Sequence, residues 1–117
     1  MSLYERLGGQ EGIQKVVDVF YKKVLEDDTV NHYFEHTDME KQRRHQTLFL
    51  SWVTGGPNQY SGKGMEKAHE GLNLQESHFE AIANHLVSSL KEFNVSEKDI
   101  DQVVQKLLTM KDAILHK

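Results

Sequence analysis

Apolar residues recur with a helical period along nearly the whole chain, and this pattern most limits what it can fold into. Over residues 10–25 they share one helix face, formed by Ile13, Val16, Val17, Phe20 and Val24. Such a stripe is typical of a helix that packs against a core. There is a single proline, Pro57, and little alternation of apolar and polar residues to indicate strands. The sequence therefore predicts one all-α domain over residues 1–117.

Further helical segments surround the first. They are predicted at about residues 3–7, 37–54, 65–70, 75–93 and 96–115. Thr37 or Asp38 begins the second long helix, and Ser96 with Asp99 forms a capping box for the last. Glycines mark the turns after residues 7, 54 and 70. Antiparallel packing of the long helices is the expected architecture.

Composition excludes several classes of function. The net charge of -4 and the pI near 5.9 argue against a nucleic-acid partner, which favours a basic face. The absence of cysteine excludes disulfides, thiolate metal sites and thioether attachment of a cofactor. No apolar run approaches the roughly 20 residues of a membrane span, and residues 1–6 lack the apolar region of a signal peptide. We therefore expect a cytoplasmic protein without membrane association.

Three polar side chains interrupt the apolar face of the helix at 37–54. Phe49 marks that face, and steps of three and four residues lead back from it to Gln46, His45 and Gln42. Buried polar groups without partners are costly. Either this end of the helix emerges into solvent, or these side chains line a pocket that uses their hydrogen bonds. Tyr21, beside the stripe of the first long helix, can point its hydroxyl into the same cavity.

His69 is the second break in the pattern. It lies on the short segment at 65–70, next to Ala68 and three residues before Leu72. A lone histidine beside apolar residues is more often a core residue than a ligand, so the spacing leaves both interpretations open. His32 and His36 are four residues apart, which suits a metal site on a helix. They lie in a short polar connection without a third ligand, so we expect them to be solvated.

Several segments follow one another in a specific order and spacing. They are Leu3-Tyr4-Glu5-Arg6-Leu7-Gly8-Gly9, Phe20-Tyr21, Phe34, Asp38-Met39-Glu40-Lys41-Gln42-Arg43-Arg44-His45-Gln46, Phe49-Leu50, Gly55-Gly56, Met65-Glu66-Lys67-Ala68-His69 and His78-Phe79-Glu80-Ala81-Ile82. Together they cover nearly the whole chain, and they resemble the group I truncated haemoglobins. That family consists of short globins that fold as a two-over-two helical sandwich around haem. The segment after His69 is short, which is closer to the ciliate members than to the cyanobacterial ones.

The resemblance implies a role for each matching residue. His69 is implied as the proximal ligand of the haem iron, with Tyr21, Gln42 and Gln46 as the distal hydrogen-bonding residues. His45 matches a position at which cyanobacterial relatives carry a histidine that reaches the iron, so we hypothesise a partly bis-histidyl ferric form. The implied pocket residues are Phe34, Phe49, Leu72, Phe79, Ile82 and Leu86. Lys41, Arg43 and Lys63 are candidates for the haem propionates, with solvated surface charge as the alternative.

The implied cofactor is non-covalent haem b. Some relatives link a histidine of the last helix to a haem vinyl group, but residues 107–112 contain no histidine, and His116 lies too near the end to be its counterpart. The implied function is reversible binding of O2, with NO and CO as further ligands, for oxygen storage, transport or sensing. The alternative at the same haem is conversion of NO and O2 into nitrate, which would require a reductase as partner.

Two interpretations lie outside this family. Glu66-Lys67-Ala68-His69 has the Glu-x-x-His spacing of non-haem di-iron bundles, but that class needs two such motifs on long helices. A helical interaction module without a cofactor explains the apolar stripes. It does not explain the polar triplet of Gln42, His45 and Gln46.

Overall fold

Helices make up almost all of the regular structure in the part of the chain that is described. The computed structural model describes residues 1–57, 69 and 71–115. Its helices are α1 (Leu3–Arg6), α2 (Gly9–Leu25), a 3-10 helix (Asn31–Phe34), α3 (Met39–Val53), α4 (Glu76–Glu92), α5 (Glu97–Thr109) and α6 (Lys111–Ile114). Within these ranges, the one isolated β-bridge joins Leu74 to Leu115. The all-α prediction is confirmed.

Polar side chains determine where the helices begin. The carboxylate of Asp38 accepts the backbone N–H of Lys41 at 3.3 Å, so α3 begins after Asp38 rather than after Thr37. The hydroxyl of Ser96 accepts the backbone N–H of Asp99 at 3.2 Å, which is one of the two bonds of the predicted capping box. These bonds satisfy N–H groups that have no partner inside the helix.

The prediction of one continuous helix over residues 96–115 is wrong. α5 ends at Thr109, where the backbone N–H of Met110 donates to the carbonyl of Leu107, and α6 follows as a separate turn. The break lets α6 bury Ile114 and lets Leu115 pair with Leu74. Tertiary packing of the C-terminal residues therefore overrides a helical pattern that continues through the break.

Two pairs of helices enclose the core. α2 packs against α3 and α4, and α5 packs against both α3 and α4. The predicted stripe of α2 is buried along its whole length, together with Tyr21. Burying one large apolar side chain stabilises a fold by about 1.5–3 kcal/mol, so this stripe anchors the packing. Among the described helices, none is long and apolar enough to cross a membrane.

Candidate functional site

A cavity of about 200 Å³ opens between the helices. It is lined from α2, the 3-10 helix, α3, α4, α5 and α6, together with the residues before α4. The wall includes the residues that the sequence assigned to a pocket: His69, His45, Tyr21, Gln42, Gln46, Phe34, Phe49, Leu72, Phe79, Ile82 and Leu86. Residues from distant parts of the chain therefore meet around one space with mainly apolar walls.

The polar side of the cavity is formed where α3 faces α2. The amide nitrogen of Gln42 donates to the hydroxyl oxygen of Tyr21 at 3.0 Å. Tyr21 is only 2% exposed, and its ring packs edge-on against Phe20 and Phe34, at centroid distances of 4.9 and 5.8 Å. The aromatic contacts hold the tyrosine in place, so its hydroxyl has a defined position in the cavity.

The polar triplet on α3 fits both interpretations of its sequence pattern, emergence into solvent and lining of a pocket. Gln42 and Gln46 are half-buried, whereas His45 is exposed, and all three line the cavity. This end of α3 therefore borders both solvent and the cavity. The polar side chains at this end therefore do not need hydrogen-bond partners inside a packed core.

His69 reaches the cavity from the segment before α4. The residue is helical and half-buried, and its carbonyl accepts the backbone N–H of Leu72 at 3.2 Å. Gly71 follows with a φ of 84°, a left-handed conformation that glycine adopts without strain and that commonly ends a helix. This turn brings Leu72 and then Leu74 onto the same wall as His69.

Of the three charged candidates, the two that are described, Lys41 and Arg43, lie away from this wall. Lys41 is exposed, and Nε of Arg43 lies 3.5 Å from a carboxylate oxygen of Asp18 on α2. Neither the Lys41 side chain nor the Arg43 side chain is among the residues that line the cavity. Lys63 lies outside the described residues, as do residues 65–68 of the predicted short helix and His116.

Sequence reasoning did not assign several residues that line the cavity. They are Phe20, Tyr33, Thr37, Leu74, Ala83, Leu107 and Ile114. Phe20 belongs to the predicted apolar stripe of residues 10–25, which gave a signal for burial but not for the cavity. Tyr33 had no such signal, because it lies in a 3-10 helix of four residues where a polar connection was expected.

A histidine-carboxylate pair connects the end of α2 to α4. Nε2 of His85 lies 2.6 Å from a carboxylate oxygen of Asp27, and the hydroxyl of Thr29 donates to the other oxygen at 2.7 Å. The Thr29 hydroxyl and then His85 lower the pKa of Asp27 from 3.8 to about 2. The pair lies outside the cavity wall, so we assign it to stability.

The composition of the wall fits a haem. A porphyrin is flat and mainly apolar, and an imidazole is a common axial ligand of its iron. The wall offers aromatic and aliphatic side chains, with His69 among them and with the amide-phenol pair of Gln42 and Tyr21. Within residues 1–57, 69 and 71–115, no group of three or more His, Cys, Asp or Glu residues is arranged to hold a bare metal ion.

Comparisons with known proteins agree with this composition. The family model for bacterial-like globins matches residues 2–116. The group 1 truncated haemoglobin of Tetrahymena thermophila is 47% identical over 114 residues, covering 97% of this chain and 94% of that protein. The corresponding GlbN protein of Nostoc sp. is 43% identical over 116 residues, covering 99% and 98%.

Solved structures extend the agreement to the fold. The crystal structure of the truncated haemoglobin from Tetrahymena pyriformis, in its Fe(III) form, is 43% identical, covers 100% of both chains and has a TM-score of 0.90. The 2/2 haemoglobin from Synechococcus sp. PCC 7002, with covalently attached haem, is 41% identical, covers 98% of each chain and has a TM-score of 0.88. This chain therefore belongs to the group 1 truncated haemoglobins, with their two-over-two helical fold and their haem cofactor.

Proposed function

We propose that this chain holds haem b non-covalently with His69 as the proximal iron ligand, and that it binds O2 reversibly beside Tyr21, Gln42 and Gln46. The observation that carries the proposal is that one mainly apolar cavity combines a histidine with the hydrogen-bonded pair of Gln42 and Tyr21. When bound, haem supplies an iron with an axial position for a diatomic gas. The side chains around the haem bind and orient the gas ligand.

The distal side chains determine how strongly a ligand is held. A gas ligand that gains partial negative charge is stabilised by N–H and O–H donors. Gln42, Gln46 and Tyr21 provide an amide, a second amide and a phenol on one part of the wall. Each neutral hydrogen bond contributes about 0.5–1.5 kcal/mol, which changes a dissociation rate several-fold.

The composition of the C-terminal helices supports non-covalent attachment. The chain has no cysteine, and residues 107–112 contain no histidine that could react with a vinyl group. Leu107 instead contributes an apolar side chain to the cavity. The proposed haem is therefore extractable into an organic solvent from the acidified protein, and a covalent adduct in the mass spectrum would contradict this.

His45 is our proposed sixth ligand in the ferric protein. It lies on α3 three residues after Gln42, so the two side chains share a side of the helix, and both line the cavity. Its exposure leaves its ring free to move toward or away from the cavity. An exogenous ligand would have to displace His45, and its apparent affinity would fall by the fraction of protein in the open form.

CO and NO are diatomic gases that suit the same apolar cavity, so we propose them as further ligands. Conversion of NO and O2 into nitrate remains the alternative activity, and it requires a reductase that returns the iron to the ferrous state. Stoichiometric consumption of NO by protein loaded with haem and O2, followed by turnover when a reductase is added, would favour this alternative. Reversible O2 binding without turnover would favour an oxygen-binding role.

Absorption spectroscopy tests the central proposal. The purified protein with added haem should show a sharp Soret band that shifts with dithionite and CO. His69→Gly should weaken or alter this band, and added imidazole should restore it by supplying the missing ligand. His36→Gln, at an exposed histidine away from the cavity wall, should leave the spectrum unchanged. A wild-type spectrum that His69→Gly does not alter would contradict the assignment of His69.

The same spectra test His45. The visible bands of the ferric protein should include those of a low-spin iron with two histidine ligands. His45→Ala should convert them to a high-spin, water-bound form and should speed the binding of cyanide. A high-spin spectrum in the wild type that His45→Ala leaves unchanged would contradict the hypothesis.

A further inference from the structure

A tyrosine and a histidine form a junction between the 3-10 helix and the start of α4. The hydroxyl of Tyr33, in the 3-10 helix, lies 2.8 Å from Nδ1 of His78, in the first turn of α4. The backbone N–H of Gln75 points at the same Nδ1 at 3.4 Å. A nitrogen that faces a backbone N–H presents its lone pair, so Nδ1 is the acceptor and the Tyr33 O–H is the donor. The imidazole in this junction is therefore neutral, with its proton on Nε2.

Of the two partners in the junction, the imidazole is the one that acid can charge. Burial raises the pKa of Tyr33 above its ordinary value, so the phenol keeps its proton at neutral and at acid pH. Histidine is the side chain whose charge ordinarily changes between about pH 5 and 8. Acidification therefore acts on the junction through His78.

The junction holds part of the cavity wall in place. Tyr33 and Phe34, consecutive residues of the 3-10 helix, line the cavity. The side-chain amide of Asn31, in the same helix, donates to the carbonyl of Leu25 at 3.1 Å, which ties the helix to the end of α2. The bond between Tyr33 and His78 ties it to α4. A change in this bond therefore acts on the wall of the cavity.

Protonation of His78 would turn Nδ1 from an acceptor into a donor. The Tyr33 hydroxyl can turn and accept instead, but the backbone N–H of Gln75 has a fixed direction and would then face a second N–H. The exposed ring of His32 lies 6.0 Å from the ring of His78, so two protonated imidazoles would repel each other across the junction. Both effects weaken the contact between the 3-10 helix and α4.

Other charges do not offset this effect in the described part of the chain, where the ion pairs do not include His78. On α4, Glu80 is two residues from His78, so it points to a different side of the helix, and its charge acts on Lys111. Charged side chains of α2, the turn after it, α5 and α6 that contact other elements have other partners: Asp18 with Arg43, Lys23 with Glu92, Asp27 with His85, Asp99 with Arg6, Lys111 with Glu76, and Lys106 over the ring of Trp52. A cation at half-buried His78 is therefore costly, because no described carboxylate pairs with it.

We propose that His78 is a positioning residue whose protonation loosens the 3-10 helix from α4 and opens this edge of the cavity, so that the protein releases haem faster at acid pH. The inference rests on the proposed binding of haem. A porphyrin is a large, flat group, and it leaves an enclosed site only when part of the wall moves. The 3-10 helix is a short element of that wall, and the junction holds it through a side chain that acid can charge.

Transfer of haem to an acceptor globin tests the proposal at about pH 8 and about pH 5, the two ends of the range in which histidine ordinarily titrates. His78→Gln offers an amide oxygen to Tyr33 and Gln75 but takes up no proton. Acidification should speed transfer from the wild type about 2- to 10-fold more than transfer from His78→Gln, as expected for the loss of a hydrogen bond. Any acid effect on an iron ligand is common to both proteins and cancels in this comparison. His36→Gln, at an exposed histidine off the cavity wall, is the matched control and should keep the wild-type response.

Hydrogen exchange of backbone amides tests the loosening itself, with or without haem. The N–H of Tyr33 donates to the carbonyl of Val30 at 3.2 Å, and the N–H of Glu35 donates to that of His32 at 3.5 Å. At about pH 5, where histidine is ordinarily charged, these two amides should exchange faster in the wild type than in His78→Gln. Amides in the middle of α2 should exchange equally in the two proteins. Comparison at one pH removes the chemical pH dependence of exchange.

Tyr33→Phe tests the same bond from the other side. It keeps the ring but lacks the donor, so it should transfer haem faster than the wild type already at about pH 8, where histidine is ordinarily neutral. Transfer at the wild-type rate would show that the bond does not hold the wall, and would overturn the proposal.

The outcomes distinguish this inference from the proposed function. Equal acceleration of haem transfer by acid in the wild type and in His78→Gln would overturn the role of His78 and leave haem binding intact. Equal exchange of the amides of the 3-10 helix in these two proteins would also overturn it. A wild type that takes up no haem would overturn the proposed function, whereas the exchange measurement would still decide whether protonation of His78 loosens the 3-10 helix.

Discussion

At the scale of single residues, the bond between Gln42 and Tyr21 is the contact that most directly tests the proposed ligand binding. Tyr21→Phe removes the hydroxyl but keeps the ring that packs against Phe20 and Phe34. The variant should release O2 several-fold faster, because one hydrogen bond of about 0.5–1.5 kcal/mol is lost on the distal side. Stopped-flow measurement of O2 release checks this, with Tyr4→Phe as the control. Release at the wild-type rate would show that the phenol does not contact the ligand.

Asp27 is the residue from which a pH dependence of stability follows. Its folded pKa is about 2, against an ordinary 3.8, because the Thr29 hydroxyl and His85 favour the carboxylate. A lowered carboxyl pKa contributes stability that is complete above the unfolded value and is lost as the pH falls through the folded value.

The free energy of unfolding of the wild type should therefore approach that of Asp27→Asn as the pH falls from about 4 to about 2. Urea unfolding at several pH values measures this difference. Asp28→Asn, at the exposed neighbouring carboxylate, should show a much smaller pH-dependent difference from the wild type. A gap between wild type and Asp27→Asn that stays constant down to pH 2 would contradict the assignment.

At the scale of elements, the two long amphipathic helices at residues 10–25 and 75–93 were predictable, whereas the 3-10 helix and the break before α6 were not. The helix predicted at residues 10–25 is observed at Gly9–Leu25, and the one predicted at 75–93 is observed at Glu76–Glu92. Both were predictable because the apolar period continues over several turns. The helix at Asn31–Phe34 has only four residues, too few for a period to show. The break before α6 depends on Leu115 reaching Leu74, which is a contact between distant parts of the chain.

The same distinction applies to the site. Gln42, His45 and Gln46 were identifiable because polar residues on an apolar face stand out from the local pattern. Tyr33 was not, because its position on the wall depends on how the 3-10 helix packs against the start of α4. The roles implied for His69 and His45 came from resemblance, since spacing alone favoured a core histidine at position 69.

α6 is the element whose contribution to the cavity is easiest to test. Ile114 is 3% exposed and lines the cavity, and Lys111 of the same helix pairs with Glu76 of α4 at 2.6 Å. Ile114→Ala should destabilise the fold by about 2–5 kcal/mol, because it leaves a void in the core. It should also speed the transfer of haem to an acceptor globin.

The control for α6 is Leu108→Ala, since Leu108 is 45% exposed and does not line the cavity. This change should alter stability by no more than about 0.5 kcal/mol. Urea unfolding and the rate of haem transfer are the two measurements. Equal haem transfer from Ile114→Ala and Leu108→Ala would show that α6 does not help to retain the cofactor.

At the scale of the whole molecule, the cavity and the hydrophobic core share residues. Phe20, Phe49, Phe79 and Leu86 belong to the buried core and also line the cavity. They come from α2, α3 and α4, and α2 packs against both of the other two helices. A cofactor in this space would contact all three of these helices, so we expect its binding to be coupled to folding.

This coupling predicts that haem raises the stability of the entire fold. A ligand that binds only the folded state adds about 2.7 kcal/mol when its free concentration is 100 times its Kd, so the unfolding midpoint should rise with haem concentration. Circular dichroism during thermal unfolding, with and without haem, measures the shift. His69→Gly should lose much of the haem-dependent rise, measured against its own haem-free midpoint, because the proposed bond to the iron is lost. A midpoint that does not respond to haem in the wild type would show that the cavity does not join the cofactor to the fold.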